Sequence, residues 1–175
     1  MFRELRKFKQ KLSNDEIIEI LTRNTNGVLA CLGDEGYPYA VALSYVYYNH
    51  KIYFHSASDG HKIDAIRLYE KVSFVVIDED RVMPELYTSF FRSAHLFGKA
   101  RLINSSEPEW FDGFKALNDK YCYVLPEQKI IDKIKSAPFT TMIAIDIEHM
   151  SGKEAKEYAM IHKPENYSQK KESLE

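Results

Sequence analysis

The sequence is short of the features that most often announce a chemistry. Among its 175 residues only two are cysteine, Cys31 and Cys122, which give neither a disulfide framework nor metal-ligand spacing. Both stand in aromatic or aliphatic surroundings and read as buried thiols, in keeping with a reducing compartment. There is no GxGxxG, so a Rossmann dinucleotide site is not expected, and no P-loop. No apolar run approaches the length of a membrane span. The opening stretch, residues 1–16, is charged throughout and lacks the apolar core of a secretory signal. Charge of one sign is lacking too: 24 Lys and Arg stand against 26 Asp and Glu, without the basic excess of a nucleic-acid binder. The expectation is a cytoplasmic protein with neither membrane nor nucleic acid as partner. Glycine and proline are sparse, at 7 and 6, and no repeat or linker is visible. One domain is expected over 1–175, with a loose polar tail from about 163.

What the chain has is aromatic residues, twelve Tyr and ten Phe, which favour pleated, half-buried surfaces. Ser13-Asn14-Asp15-Glu16 fits a capping box, and Ile17, Ile20 and Leu21 follow at helical spacing, predicting a helix over 14–24. Strands are expected at 27–33, 37–48, 51–56, 71–78, 87–104 and 140–150. Asp34-Glu35-Gly36 and Asn49-His50 supply turns, and Gly98 offers a bend or bulge. Helices are expected at 59–69, 107–122, 127–135 and 152–158, and a loop at 79–86. Six strands of mostly hairpin type, with helices at intervals, predict an antiparallel barrel or strongly twisted sheet.

Two stretches could hold a ligand. In the second strand Tyr39, Val41, Leu43, Tyr45 and Tyr47 alternate with Ala40, Ala42, Ser44 and Val46, so one face is large and apolar and the other begins with small residues. A small face either packs under a helix or lets a flat ligand reach the backbone. The second stretch is "YFHSASDGHK", residues 53–62. Ser58 or Asp59 can cap the following helix. Ser56, Ser58, the free amides of the first turn and Lys62 can equally converge on an anion. Spacing leaves both readings open. His55 and His61 have no third ligand at fixed spacing, so no metal is expected. His95 reads as a half-buried, hydrogen-bonded residue. No catalytic triad can be assembled, and no catalytic residue is assigned.

In order along the chain, "GYPYAVALSY", "KIYFHSASDGHKIDAI", "KVSFVV", "FRSAHLFGKARL" and "IDIEHMSGKEAK" resemble the pyridoxamine 5′-phosphate oxidase-like flavoproteins, and among them the nitroimidazole-resistance subgroup. The resemblance spans roughly residues 14–157. It implies the FMN-binding split barrel: a mainly β, six-stranded antiparallel Greek-key barrel with peripheral helices. It implies a homodimer with flavin at the subunit interface, FMN as cofactor with FAD as the alternative, a small-molecule acceptor, and NAD(P)H as electron donor. Ala40, Val41, Ala42, Leu43, Ser44 and Tyr45 match the strand that lies along the flavin ring through backbone groups. His55, Ser56 and Ala57 match the flavin-contacting strand end, and His61 and Lys62 the phosphate position. Ser93 matches a position near the ring, supplied by the partner subunit. Lys153 belongs to a C-terminal signature without an assigned contact. Two departures matter. No counterpart of the Arg/His substrate motif for pyridoxal phosphate follows, so pyridoxamine phosphate oxidation is not expected. Position 61 carries His where Arg is expected, which weakens the phosphate grip near neutral pH. The implied function is an FMN-dependent oxidoreductase, with nitroimidazoles or nitroaromatics among its acceptors. The alternatives are a flavin storage or sensing protein without turnover and a split-barrel haem binder.

Overall fold

A computed structural model describes residues 2–167. The first helix, α1 (Asn14–Arg23), begins where the sequence places a capping box. Glu16 N–H donates to Ser13 Oγ at 3.2 Å, and Ser13 N–H donates to Glu16 Oε2 at 2.7 Å. Two amides that a helix start leaves orphaned are thereby paired. Ile17, Ile20 and Leu21 fall on one side of α1 and are buried.

Strand β1 (Asn26–Leu32) turns back into β2 (Pro38–Ser44), and β3 (Val46–Tyr48) turns back into β4 (Lys51–Ser56). The second turn is tight: Asn49 and His50 both take positive φ, 47° and 60°, as a type I′ hairpin requires. Helix α2 (His61–Leu68) leads to β5 (Lys71–Met83), which returns as β6 (Thr88–Ile103). Helices α3 (Pro108–Tyr121) and α4 (Glu127–Lys135) precede β7 (Thr141–Glu154), and α5 (Lys156–His162) follows it. The strands form one antiparallel sheet in the order β2-β1-β5-β6-β7-β4-β3.

That order has a geometric consequence. β2 and β3 lie at opposite edges of the sheet, yet only Tyr45 separates them in the chain. Two Cα–Cα steps of 3.8 Å reach at most about 7.6 Å. The sheet must therefore curl until its edges meet, and because no ladder joins β2 to β3, the barrel is split along that seam.

Residues 37–48 are thus two strands, and the sheet has seven strands where six were expected. The break has a physical cause. Tyr45 is fully buried, its hydroxyl donates to Leu21 O at 2.9 Å, and its ring lies edge-on to Phe74. Its backbone N–H and C=O both bond the Tyr121 hydroxyl, at 3.0 Å each, in place of a neighbouring strand. That hydroxyl also bonds Thr25 O.

Other boundaries differ as well. Residues 79–83, expected in a loop, continue β5, because Glu79 to Met83 pair with Arg92 to Thr88 in a hairpin arm beyond the barrel. Residues 152–154, expected in a helix, continue β7 opposite Ala94, Ser93 and Arg92, and the helix starts at Lys156. Cys31 is buried, but Cys122 is only half-buried. The polar tail expected from about 163 falls, beyond Tyr167, outside the described residues. Among the described residues no helix is long and apolar enough to cross a membrane.

Two cores result. Inside the barrel, Leu29, Ile52, Phe54, Phe74, Leu96, Ile143 and Ile145 meet the apolar faces of α1 and α2. Outside it, Tyr53, Met142 and Ala144 meet Trp110, Phe114, Leu117, Ile130 and Ile134 of α3 and α4. β7 is therefore buried on both faces. The expected bend at Gly98 is present as a register shift between Phe97 and Gly98. A Cβ there would stand 2.3 Å from Asp146 O, so only glycine lets β7 approach.

Two charge networks tie these layers together. Glu109 accepts from Arg101 at 2.5 Å, Lys51 at 2.8 Å and Tyr53 at 2.8 Å. Glu16 accepts from Arg92 at 2.9 Å and Lys163 at 3.0 Å, beside the fully buried Glu154. Burial alone would raise both titrating carboxyls. For Glu109 the bonds from Arg101, Lys51 and Tyr53 outweigh it, and for Glu16 those from Ser13 and Lys163, holding each at about 2.

Two outcomes are expected. Tyr121→Phe leaves the Tyr45 and Thr25 backbone groups short of a partner and costs about 1–3 kcal/mol in urea unfolding. Because both carboxyls titrate below the value of 4.5 they carry unfolded, their contribution is complete above that pH and is lost as pH falls toward 2. Glu16→Gln with Glu109→Gln should flatten that acid limb of the melting temperature, and an unchanged limb would show that other groups carry it.

Candidate functional site

The strand β2 half-buries its odd residues and exposes its even ones. Tyr39, Val41 and Leu43 pack on the barrel core, whereas Ala40, Ala42 and Ser44 are exposed. Among the described residues no helix covers Ala40 and Ala42, so the packing alternative left open by the sequence does not apply there. β2 is also an edge strand with β1 as its one ladder partner, so half of its backbone groups face away from the sheet. Val41 and Leu43 can therefore offer a ligand their backbone and not their side chains. Tyr45 can offer neither, since Tyr121 takes both its backbone groups.

At the end of β4 successive side chains diverge. Ser56 turns inward and is buried, while His55 and Ala57 are exposed. Lys62 Nζ donates to Ser56 Oγ at 2.9 Å. The cap of α2 is Gly60, at φ 110° and ψ 166°, without any side-chain cap bond. Ser58 and Asp59, expected as caps, do not serve, because Gly60 alone tolerates this backbone and places them outside the first turn. The first amides of α2 are therefore free of a side-chain acceptor, and they stand beside a lysine and a hydroxyl. Asp64, the acidic residue of that turn, pairs with Arg67 at 3.4 Å. His61 has its contacts elsewhere. Its ring stacks on Tyr39 with centroids 4.0 Å apart, and Nε2 is 3.6 Å from Asp34 Oδ2.

His55 and Ser44 meet on the outer side of the seam. They line a groove of about 260 Å³ with Phe114, Leu117, Asn118, Tyr121 and Cys122. The four α3 residues and the cap residue Cys122 had no place in the sequence reading of the site. Their signal was present, since positions 114, 117, 118 and 121 recur at the spacing of one helix face. His95 is exposed on β6.

Ser93 is not part of this groove. It lies on β6 between Ile77 and Lys153, on the sheet's outer face. That face is continuous across five strands. Ala42, Val28, Val75, His95 and Ser151 form one row, and Ala40, Ala30, Ser73, Phe97 and His149 the next.

The comparisons with known proteins agree with this architecture. The family model described as pyridoxamine 5′-phosphate oxidase matches residues 13–154. No curated protein matches the chain. Among solved structures, a conserved hypothetical protein from Mycobacterium tuberculosis is similar at a TM-score of 0.74 and 18% identity, covering 89% of this chain and 92% of its own. A putative 5-nitroimidazole antibiotic resistance protein from Bacteroides thetaiotaomicron follows at 0.66 and 18%, covering 82% and 85%. An FAD-binding protein from Mesorhizobium loti stands at 0.61 and 27%, covering 83% and 97%.

The cap geometry can be checked directly. Gly60→Ala must hold a backbone that only glycine adopts without strain and should cost about 1–3 kcal/mol. Asp59→Ala, removing no cap bond, should stay within about 0.5 kcal/mol. Equal losses in chemical denaturation would mean that Asp59 caps the helix in solution.

Proposed function

Since the chain belongs to the pyridoxamine 5′-phosphate oxidase family, we propose that it is a dimeric flavin-binding oxidoreductase that passes electrons from NAD(P)H to a small acceptor such as a nitroaromatic. One observation carries the reading: the Ser56–Lys62 pair beside the uncapped first turn of α2. Free amides, the helix dipole, a hydroxyl and an ammonium are the chemistry that holds a phosphate monoester. The FAD-binding relative from Mesorhizobium loti supports flavin as the body attached to it.

The residues present fit such a group. Ser56, Lys62 and the α2 amides would hold the phosphate. The open small face of β2, at Ala40, Ala42 and Ser44, would let a flat ring system approach the edge backbone. Bound flavin supplies the electron transfer, so the chain needs no nucleophile or acid–base pair of its own. His55, exposed beside Ser44 in the groove, would stand at the acceptor side. His61 is committed to Tyr39 and Asp34, which leaves Lys62 as the principal cation for the phosphate. FMN is the cofactor we favour, and the cytoplasm the compartment.

The outer face of the sheet supports dimerisation. Ile77 is 62% exposed and Phe97 42%, on a surface that Phe2 crosses at Phe97 and His149 and that carries a depression of about 330 Å³. Contiguous apolar surface of this kind marks association sites. Ser93 lies on that face and would serve the partner's site.

The purified protein should show a flavin absorbance that anaerobic NAD(P)H bleaches. Ser56→Ala with Lys62→Ala removes a charged donor and a hydroxyl from the phosphate and should weaken FMN binding about 10–100-fold. A colourless protein that takes up neither FMN nor FAD overturns the proposal. Flavin that binds but is never reduced makes the protein a flavin store or sensor, and a Soret band makes it a haem binder.

A further inference from the structure

The segment ahead of α1 carries a concentration of charge, and it is of one sign. Arg6, Lys7 and Lys9, with Lys156 at the start of α5, border a groove of about 270 Å³. No Asp or Glu borders it. None of these four cations has a carboxylate partner among the described residues, and nearby Glu4 pairs with Lys11 at 3.9 Å. The chain as a whole carries 24 Lys and Arg against 26 Asp and Glu, so an unanswered cluster is not the overflow of a basic protein.

The backbone under the cluster is pinned. Leu12 N–H donates to Gly152 O at 3.0 Å, Lys11 bridges to Lys153 of β7, and Lys163 Nζ donates to Lys11 O at 3.1 Å. Residues Phe8–Gln10 form a 3₁₀ turn, closed by Lys11 N–H on Phe8 O at 3.1 Å. The cations are thus set around one opening, where their fields add and favour an anion. A single phosphate monoester brings a charge of only about −1.5 to −2, so a diphosphate matches the cluster better.

Two further groups say what the anion is attached to. Gln10 is 7% exposed, and its Oε1 is buried without a hydrogen-bond partner among the described residues. Buried acceptors are normally matched by a donor. An ionised phosphate offers acceptors only, so it answers the cations and not Gln10, and the ligand must also carry an O–H or N–H. Phe8 stands at the rim, 71% exposed, and Tyr167 borders the groove with Lys9 Nζ 5.2 Å from its ring centre. An exposed ring beside unpaired cations is a stacking platform for a base. The volume lies below the roughly 300–1,000 Å³ of pockets for drug-sized ligands, which suits a ligand that seats its phosphates and sugar and leaves its base on the rim.

We propose that this groove binds a soluble nucleoside diphosphate, its phosphates on Arg6, Lys7, Lys9 and Lys156, a sugar hydroxyl toward Gln10 Oε1 and its base against Phe8. The site shares no residue with the Ser56–Lys62 pair or the β2 edge, so binding does not depend on flavin.

The test is calorimetric titration of the full chain with ADP, in saturating FMN so that the Ser56–Lys62 pair is closed to other phosphates. AMP is the control for charge and inorganic pyrophosphate the control for the organic body. ADP should bind at one site, and each control about ten-fold more weakly or worse. Lys7→Ala with Lys156→Ala should weaken ADP about ten-fold or more. Both lysines are exposed, so the fold should tolerate their loss. Lys133→Ala with Lys135→Ala, which removes the same charge from the exposed side of α4, should leave the affinity within about two-fold. Phe8→Ala should weaken ADP and leave pyrophosphate within about two-fold. Should the Lys7 and Lys156 variant not fold, the Gln10 side-chain amide of the unmutated protein, followed by ¹H–¹⁵N NMR, should move saturably with ADP. No binding heat and an unmoved Gln10 signal overturn the proposal. Equal affinity for pyrophosphate, or equal losses in the two lysine pairs, overturns it as well. Loss of ADP binding in Ser56→Ala with Lys62→Ala would place the nucleotide at the flavin site instead. Capture on phosphatidylglycerol vesicles of a protein that ignores ADP would make the groove a lipid surface and overturn the soluble ligand. ADP bound by a protein that takes no flavin upholds this proposal while the flavin reading falls.

Discussion

The joint at Tyr45 sets the terms for everything else. A seven-stranded sheet whose two edge strands are joined through one residue has no choice but to curl, because the chain cannot reach further than two Cα steps. The cost of that joint is a residue whose backbone belongs to neither ladder. An unpaired buried amide or carbonyl costs about 1–3 kcal/mol, and here one side chain removes the debt. The Tyr121 hydroxyl accepts from Tyr45 N–H and shares its own hydrogen between Tyr45 O and Thr25 O. Helix α3 is thus a clasp across the seam, and its position is dictated by the joint. The same helix face carries Phe114, Leu117 and Asn118, one and two turns before Tyr121, so closing the seam also builds one wall of the groove.

Charge is distributed in a way that spares this region. The Glu109 network ties α3 to β4 and β6 through Lys51, Tyr53 and Arg101, and on to β7 through Asp146. The Glu16 and Glu154 network binds α1, β6 and β7 at another place. One cation does approach the seam. Lys120 Nζ donates to Asn24 O at 2.5 Å and lies 4.4 Å from the Tyr45 ring centre. Burial pushes it down to about 8, so near neutral pH it still carries most of its charge, satisfied by a carbonyl and a π-face. Charge therefore supports the clasp from behind, while the ligand side stays neutral.

How much of this was legible depended on whether a feature was local. The capping box at Ser13–Glu16, the turn at Asn49-His50 and the shift at Gly98 are written in adjacent residues, and each appears where the sequence placed it. The alternation in β2 was equally clear, and it separated core side chains from an open face. What stayed hidden depended on partners distant in sequence. Nothing around Tyr45 announces a break, because the group that replaces its strand partner lies 76 residues on, at Tyr121. Residues 79–83 look like a polar loop, and only pairing with Phe90, Phe91 and Arg92 makes them a strand. At α2, Ser58 and Asp59 have the right composition for a cap, yet Gly60 supersedes them through a backbone angle that composition does not reveal. The groove combined both cases: its helix spacing was readable, but its position opposite Ser44 and His55 was not.

The split also explains why the candidate site lies where it does. An exposed edge strand offers unpaired backbone groups to any passing chain, and proteins usually blunt such an edge with charge, proline or a covering element. β2 begins with Pro38 but then presents Ala40, Ala42 and Ser44, none of them charged, and among the described residues no helix covers Ala40 or Ala42. Closing the barrel with a ladder would have satisfied those groups and removed the opening. Here the two edges meet only at Tyr45, which keeps the barrel curled while leaving the edge accessible. On the proposed reading, a flat ligand on small side chains, anchored at Lys62 and Ser56 and shielded by a second subunit, would satisfy the edge without a further strand. The split would then be no defect of closure, since the unpaired edge is what the proposed ligand would use.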